Sequence, residues 1–151
     1  MSRYLPHWLT PAPDSVVADN IKLGKWAWLD AVHLLWTVWI FITPLFEDGY
    51  TLRWLYYTAW SYPLFLLLYA MTLVSSRRVA RLYALGMIVL AVVLLRVYPS
   101  GLTYFIFGCV MLRTNRATST LRYLLELLAL NAVFAVLAMW IGYPWQVIAW
   151  V

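Results

Sequence analysis

Charge is what this sequence has least of. Only 11% of its 151 residues are Asp, Glu, Lys or Arg, while 65% are apolar and 18% aromatic. Soluble globular chains carry about 25% charged residues, so a water-soluble fold is excluded. Cys109 is the single cysteine, which rules out an intrachain disulfide and a CxxC metal site. It lies inside an apolar run and reads as a small buried thiol. Histidine is almost as scarce: His7 sits near the start and only His33 lies in an apolar segment, so axial haem ligation has no second side chain. P-loop, GxSxG and HExxH motifs are missing, and no cluster of carboxylates suits metal binding or acid–base work. No cofactor, metal or catalytic residue is therefore expected. A net charge of +5 suggests nucleic acid only where basic residues form a patch, and here they fall between apolar runs instead.

A secretory signal is also lacking, because residues 1–25 contain no apolar h-region. Prolines 6, 11 and 13 make this stretch an irregular cytoplasmic or interfacial leader. Asp14, Ser15, Asp19 and Asn20 are candidate caps for a short surface helix over Val16 to Leu23, with Trp8 and Trp26 at headgroup depth.

Residues 26–151 hold what the chain has in excess. Trp26 to Phe46 and Trp54 to Val74 are apolar runs of 21 residues each, about 31 Å as helices and so matched to a bilayer core. A third run, Val79 to Tyr98, ends at Pro99, Ser100 and Gly101. The fourth, Leu102 to Leu112, has 11 residues and reaches only about 17 Å unless Arg113 snorkels. Leu121 to Trp140 is full length and ends at Gly142, Tyr143 and Pro144. The expected fold is all-α, a polytopic transmembrane helical bundle of five spans plus the start of a sixth. The eight residues of that sixth helix fall short of the roughly 20 needed to cross, so the chain reads as the front of something longer or as a truncated product.

Loop charges orient this parsing. With five crossings, Arg3, Lys22, Lys25, Arg77, Arg78, Arg81, Arg113, Arg116 and Arg122 share one side and only Arg53 and Arg96 the other. Positive residues stay inside, so the N-terminus is expected in the cytoplasm. A re-entrant fourth segment would nearly even that split, which favours a crossing.

Six polar or helix-breaking residues within the apolar runs are candidate sensing or structural positions. Asp30 and His33 are three residues apart on one helix face, which suggests a proton- or hydration-sensitive latch or an interfacial pair that snorkels. Pro63, preceded by Thr58 and Ser61, implies a kink and freed carbonyls. Arg96 lies near the outer end of the third helix, where snorkelling or contact with an anionic lipid accounts for it. Glu126 and Asn131 share the fifth helix, the amide serving as interhelical glue or in gating. Alanines 129, 132, 135 and 138 smooth part of that helix for close packing in a bundle or dimer. The ten Trp and eleven Tyr read mainly as interface belts, with Trp54, Tyr98, Trp140 and Trp145 outside and Trp26, Trp28, Tyr69 and Tyr123 inside.

The order of these segments, with the stretches TPLFEDGYTLRW, SYPLFLLLY, YPSGLTYFIFGCVMLR and GYPWQVIAWV, resembles the membrane sensor region of DesK-type bacterial sensor histidine kinases. The likeness runs from about Lys25 to Val151. It implies a bundle in a bacterial inner membrane that senses the state of the bilayer. It also implies a homodimer whose last helix feeds a cytoplasmic kinase, through which a response regulator is reached. Neither His7 nor His33 stands in the acidic setting of a phospho-accepting histidine, so no kinase residue transfers to this chain. A small transporter or pore subunit is the alternative, predicting internal repeats and polar groups converging at mid-membrane. A membrane anchor or assembly factor is a third.

Overall fold

Hydroxyl caps set the helix starts. Ser15 accepts from the Ala18 amide at 3.2 Å and opens α1, Val16–Lys22, where the leader helix was expected. Thr51 does the same for α3, Leu52–Val74, through the Trp54 amide, and Ser119 for α6, Thr120–Ile141, through the Arg122 amide. Gly142, at a φ of 92°, closes α6 in the left-handed conformation, and its amide and that of Tyr143 return to the Met139 and Ala138 carbonyls. The computed structural model describes residues 7–47, 49–114 and 119–143. The expected start of a sixth helix at Pro144 to Val151 lies outside the described residues.

Among the described residues the chain is all helix, and three helices are long and apolar enough to cross a membrane: Leu29–Phe46, α3 and α6. The third and fourth expected spans also form helices but do not meet that standard. α4, Arg77–Leu94, opens with three arginines in five residues, and α5, Leu102–Thr114, has 13 residues.

Length divides these elements into two classes. Leu29–Phe46 is wound as 3-10 helix over Leu29–Thr37, as α-helix over Val38–Ile42 (α2), and again as 3-10 helix over Thr43–Phe46. A 3-10 rise of about 2.0 Å per residue extends it to about 34 Å, where 18 α-helical residues would give about 27 Å. It therefore matches α3 and α6, at about 35 and 33 Å, despite having fewer residues. α4 spans about 27 Å. α5 with the preceding 3-10 turn Pro99–Gly101 spans about 26 Å.

The short pair forms the centre. α4 buries Ala80, Ala84, Met87, Ile88 and Ala91, a stripe at helical spacing, and α5 is buried on nearly every side, leaving Ile106 and Val110 as its exposed apolar strip. Gly108 lets the two backbones meet, since a Cβ there would stand 2.9 Å from the Ala84 carbonyl oxygen. α3 flanks them with Thr58, Ser61, Phe65 and Tyr69 inward. α6 buries only Phe134 and Ala138 and lies against the bundle's edge.

Polar contacts gather the loops into two ends. At one, the Ala12 amide donates to the Val74 carbonyl at 2.8 Å, and Arg77 reaches Asp19 at 2.5 Å, so the leader docks on the α3–α4 turn. Arg81 pairs with Glu126 near the starts of α4 and α6. At the other end, the Trp54 indole donates to Ser100 at 3.3 Å and the Tyr143 hydroxyl to the Leu95 carbonyl at 2.7 Å. α4 and α6 thus run parallel. α5 must carry the chain back along their whole length, and the Pro99–Gly101 turn makes up for its few residues.

Candidate functional site

The six sequence candidates do not come together. Asp30 and His33, expected to face each other, have separate surroundings. The Asp30 carboxylate accepts from the Asn20 side chain at 2.7 Å, and its backbone carbonyl accepts from the Tyr69 hydroxyl at 2.7 Å. His33 is exposed and faces a cavity. The reason is local: α1 folds back toward the start of Leu29–Phe46 and delivers an amide donor that the imidazole would have had to displace.

Pro63 stands on an exposed face while α3 continues to Val74. The hydroxyls before it do not patch freed carbonyls; they make buried bonds across helices, Thr58 to the Tyr98 hydroxyl at 2.7 Å and Ser61 to that of Tyr104 at 2.9 Å. Tyr69 and Tyr98 consequently belong to the core and not to an interface belt. Arg96 is exposed in the turn after α4. The Asn131 amide donates to the Leu127 carbonyl of its own helix at 2.9 Å.

Glu126 is the candidate with the most built surroundings. It takes Arg81 from α4 and, at 3.5 Å, Arg122 from its own helix, with roughly a quarter to a third of the Arg81 and Glu126 side chains exposed. Further contacts hold α6: the Tyr123 hydroxyl donates to the Cys109 carbonyl at 3.5 Å, Phe134 stacks on Phe105 at 4.2 Å, and Tyr143 bonds Leu95. Burial and the nearby Glu47 charge push the Tyr143 phenol up to about 12, so it remains a donor well above neutral pH. α6 is thus tied at both ends and in the middle, where Phe134 and Ala138 belong to the core.

Beside that helix lies a cavity of about 810 Å³. Its floor is α5, where Leu102, Ile106 and Val110 recur at four-residue spacing with Thr103 and Phe107 beside them. One wall is Leu29–Phe46, whose mixed winding stacks His33, Trp36, Trp39, Thr43 and Glu47 along one face. The other is α6, through Phe134 and Ala138, with Leu95, Pro99 and Tyr143 closing the end near Glu47. Ile106 and Val110 are each 43% exposed, which leaves the floor accessible between the walls. Polar atoms are few, and the Thr43 hydroxyl already donates to the Trp39 carbonyl at 2.6 Å.

No family model, curated protein or solved structure matches the chain. Function must be read from the residues and their placement.

Sequence reasoning missed two features. The cavity is assembled from four segments, and no single run announces it. The Ala84–Gly108 approach was detectable in principle, because Ala80, Ala84, Met87, Ile88 and Ala91 form a small-residue face opposite a glycine in an apolar helix.

Proposed function

We propose that this chain is the bilayer-sensing signal-input region of a bacterial sensor histidine kinase of the DesK type, placed in the inner membrane with its leader in the cytoplasm. The observation that carries the proposal is the presence of two helix lengths in one bundle. Three helices of about 33 to 35 Å surround or flank two of about 26 to 27 Å. Mismatch costs fractions of a kcal/mol per Å, so the long helices tilt in a thin bilayer while the short central pair is already accommodated. A thickness change of roughly 6 Å is worth roughly 2 kcal/mol, about a 30-fold change in a two-state equilibrium.

α6 is the element that would move. It is the least buried of the long helices, and its ties to the core are few. Leu29–Phe46 offers a second adjustment, since rewinding from 3-10 to α-helix would shorten it by about 7 Å. The bundle's two ends also carry unequal charge: Lys22, Lys25, Arg77, Arg78, Arg81 and Arg122 belong to the leader end, and Arg53 and Arg96 to the opposite one. That asymmetry supports a cytoplasmic leader. A homodimer and a response regulator belong to the same reading. A transporter is less well supported, because the cavity described above is apolar and offers a polar solute few partners.

Spin-label distances test the motion. With Cys109 replaced by Ala, label pairs at Leu82 and Leu124, and at Val93 and Val136, report the two ends of the α4–α6 gap. Bilayers of graded acyl length should shift at least one distance distribution, and identical distributions throughout would remove the basis for sensing by α6.

A further inference from the structure

An apolar cavity beside membrane-length helices is filled by the surrounding medium, since an empty one forfeits packing on every lining atom. Its shape restricts what can enter. It reaches α6 only from Tyr143 down to Phe134, about the last third of the helix, while at the opposite end of α6 the helix closes on α4 through Glu126. The occupant therefore comes from the Glu47–Tyr143 rim, where the long helices end, and runs along Leu29–Phe46 as far as His33, little more than one turn short of that helix's other end.

We propose that this cavity is a binding site for one acyl chain of a bilayer phospholipid, its ester end at the Glu47–Tyr143 rim and its methyl end toward His33. A cavity of about 810 Å³, long and lined mainly by apolar side chains, has room for an acyl chain. A hydrophilic solute finds few partners, because the Thr43 and Tyr143 hydroxyls already donate to the Trp39 and Leu95 carbonyls. Trp36 and Trp39 give the chain a broad apolar wall, and Ile106 and Val110 give it a floor. The occupant touches both Leu29–Phe46 and α6, so its length and unsaturation bear directly on how far apart those helices stand. This deepens the signal-input reading and rests on it only for the membrane setting.

The test uses the whole chain in vesicles of phosphatidylethanolamine and phosphatidylglycerol, doped with a phosphatidylethanolamine that carries a diazirine on one acyl chain. After photolysis, adducts should concentrate on Trp39, Ile106 and Val110 and be sparse on exposed residues of α6 such as Leu128 and Val133. Filling the floor by Ile106→Trp, or separately by Val110→Trp, should lower labelling of Trp39 about tenfold, a shift that a lost contact site readily produces. Val133→Trp adds the same bulk on the outer face and should leave it unchanged. Labelling that follows exposure alone, and is indifferent to both filling variants in chains that melt like the parent, overturns the proposal. So does labelling by a diazirine fatty acid with none from the phospholipid, or displacement of the probe by a second copy of the chain. Kinase output plays no part in this readout: a labelled cavity in a chain deaf to lipid would keep the site and discard the sensing.

Discussion

Alanine at Gly108 and alanine at Gly86 are the same substitution in adjacent helices, and the structure assigns them opposite signs. At Gly108 the new Cβ would stand 2.5 Å from the Ile88 Cγ1, 2.9 Å from the Ala84 carbonyl oxygen and 3.2 Å from the Ile88 nitrogen. Ile88 can turn its side chain aside, but the two backbone atoms cannot. Restoring ordinary contact moves α5 from α4 by about half an ångström, and gaps of that size forfeit about a quarter of each contact's attraction along the seam. Overpacking costs about 1–3 kcal/mol, and two unyielding backbone atoms put this site at about 2–3 kcal/mol, from which a helix-propensity gain of about 1 kcal/mol is subtracted. A net loss of about 1–2 kcal/mol is expected. At Gly86 the Cβ would meet only Leu68 Cδ2 at 3.6 Å and Cδ1 at 3.8 Å, ordinary contact with a flexible side chain. Gly86→Ala is therefore expected to be neutral or to stabilise by up to about 1 kcal/mol. Unfolding by sodium dodecyl sulfate in mixed micelles, followed by circular dichroism, measures both. Shifts in the same direction, or a Gly108→Ala chain as stable as its parent, would refute the close α4–α5 approach.

Glu126→Gln keeps the shape of the side chain and removes its charge from Arg81 and Arg122, at a cost of about 1 kcal/mol. Amides in the first two turns of α6 should exchange faster while those around Phe134 hold, and uniform exchange along the helix would count against local tethering. Asp30 should couple to Asn20 and not to His33: a double-mutant cycle with Asn20→Ala is expected to show about 0.5–1.5 kcal/mol of interaction, and one with His33→Leu to be additive within about 0.5 kcal/mol. Tyr143 ionises at 10.0 ordinarily and at about 12 when folded, so its contribution is complete below pH 10 and lost as pH rises toward 12. Tyr143→Phe should abolish that alkaline loosening of the end of α6, and its persistence in the variant would assign it to another group.

Legibility followed the kind of signal involved. Apolar runs bounded by proline, glycine and hydroxyl caps are local, and so α1, α3, α6 and the Gly142 break stood close to where the sequence predicted them. The winding of Leu29–Phe46 was not legible, because its apolar pattern suits 3-10 and α-helix alike. The reach of α5 was underestimated because the 3-10 turn at Pro99–Gly101 reads as loop, although it adds about 6 Å to the path. Pairings failed where a third element intervened. Asp30 and His33 are neighbours in sequence, but α1 brings Asn20 to the carboxylate first. Tyr98 looked like a belt residue because aromatic belts and buried tyrosines share one composition, and only the position of Thr58 distinguishes them. Glu126 was no more legible: nothing in its own helix points to α4, where Arg81, 45 residues earlier in the chain, supplies its cation.

The central claim is that bilayer thickness reaches an output through this bundle, and kinase activity measures it most directly. Fused in frame to a kinase domain of the DesK type and reconstituted in bilayers of graded acyl length, the chain should switch autophosphorylation at a threshold thickness. Two or three leucines inserted after Leu112 lengthen α5 by about 3 to 4.5 Å and should move that threshold toward thicker bilayers. Output independent of acyl length, or a threshold that stays fixed in a folded and correctly inserted variant, would contradict thickness sensing by this bundle.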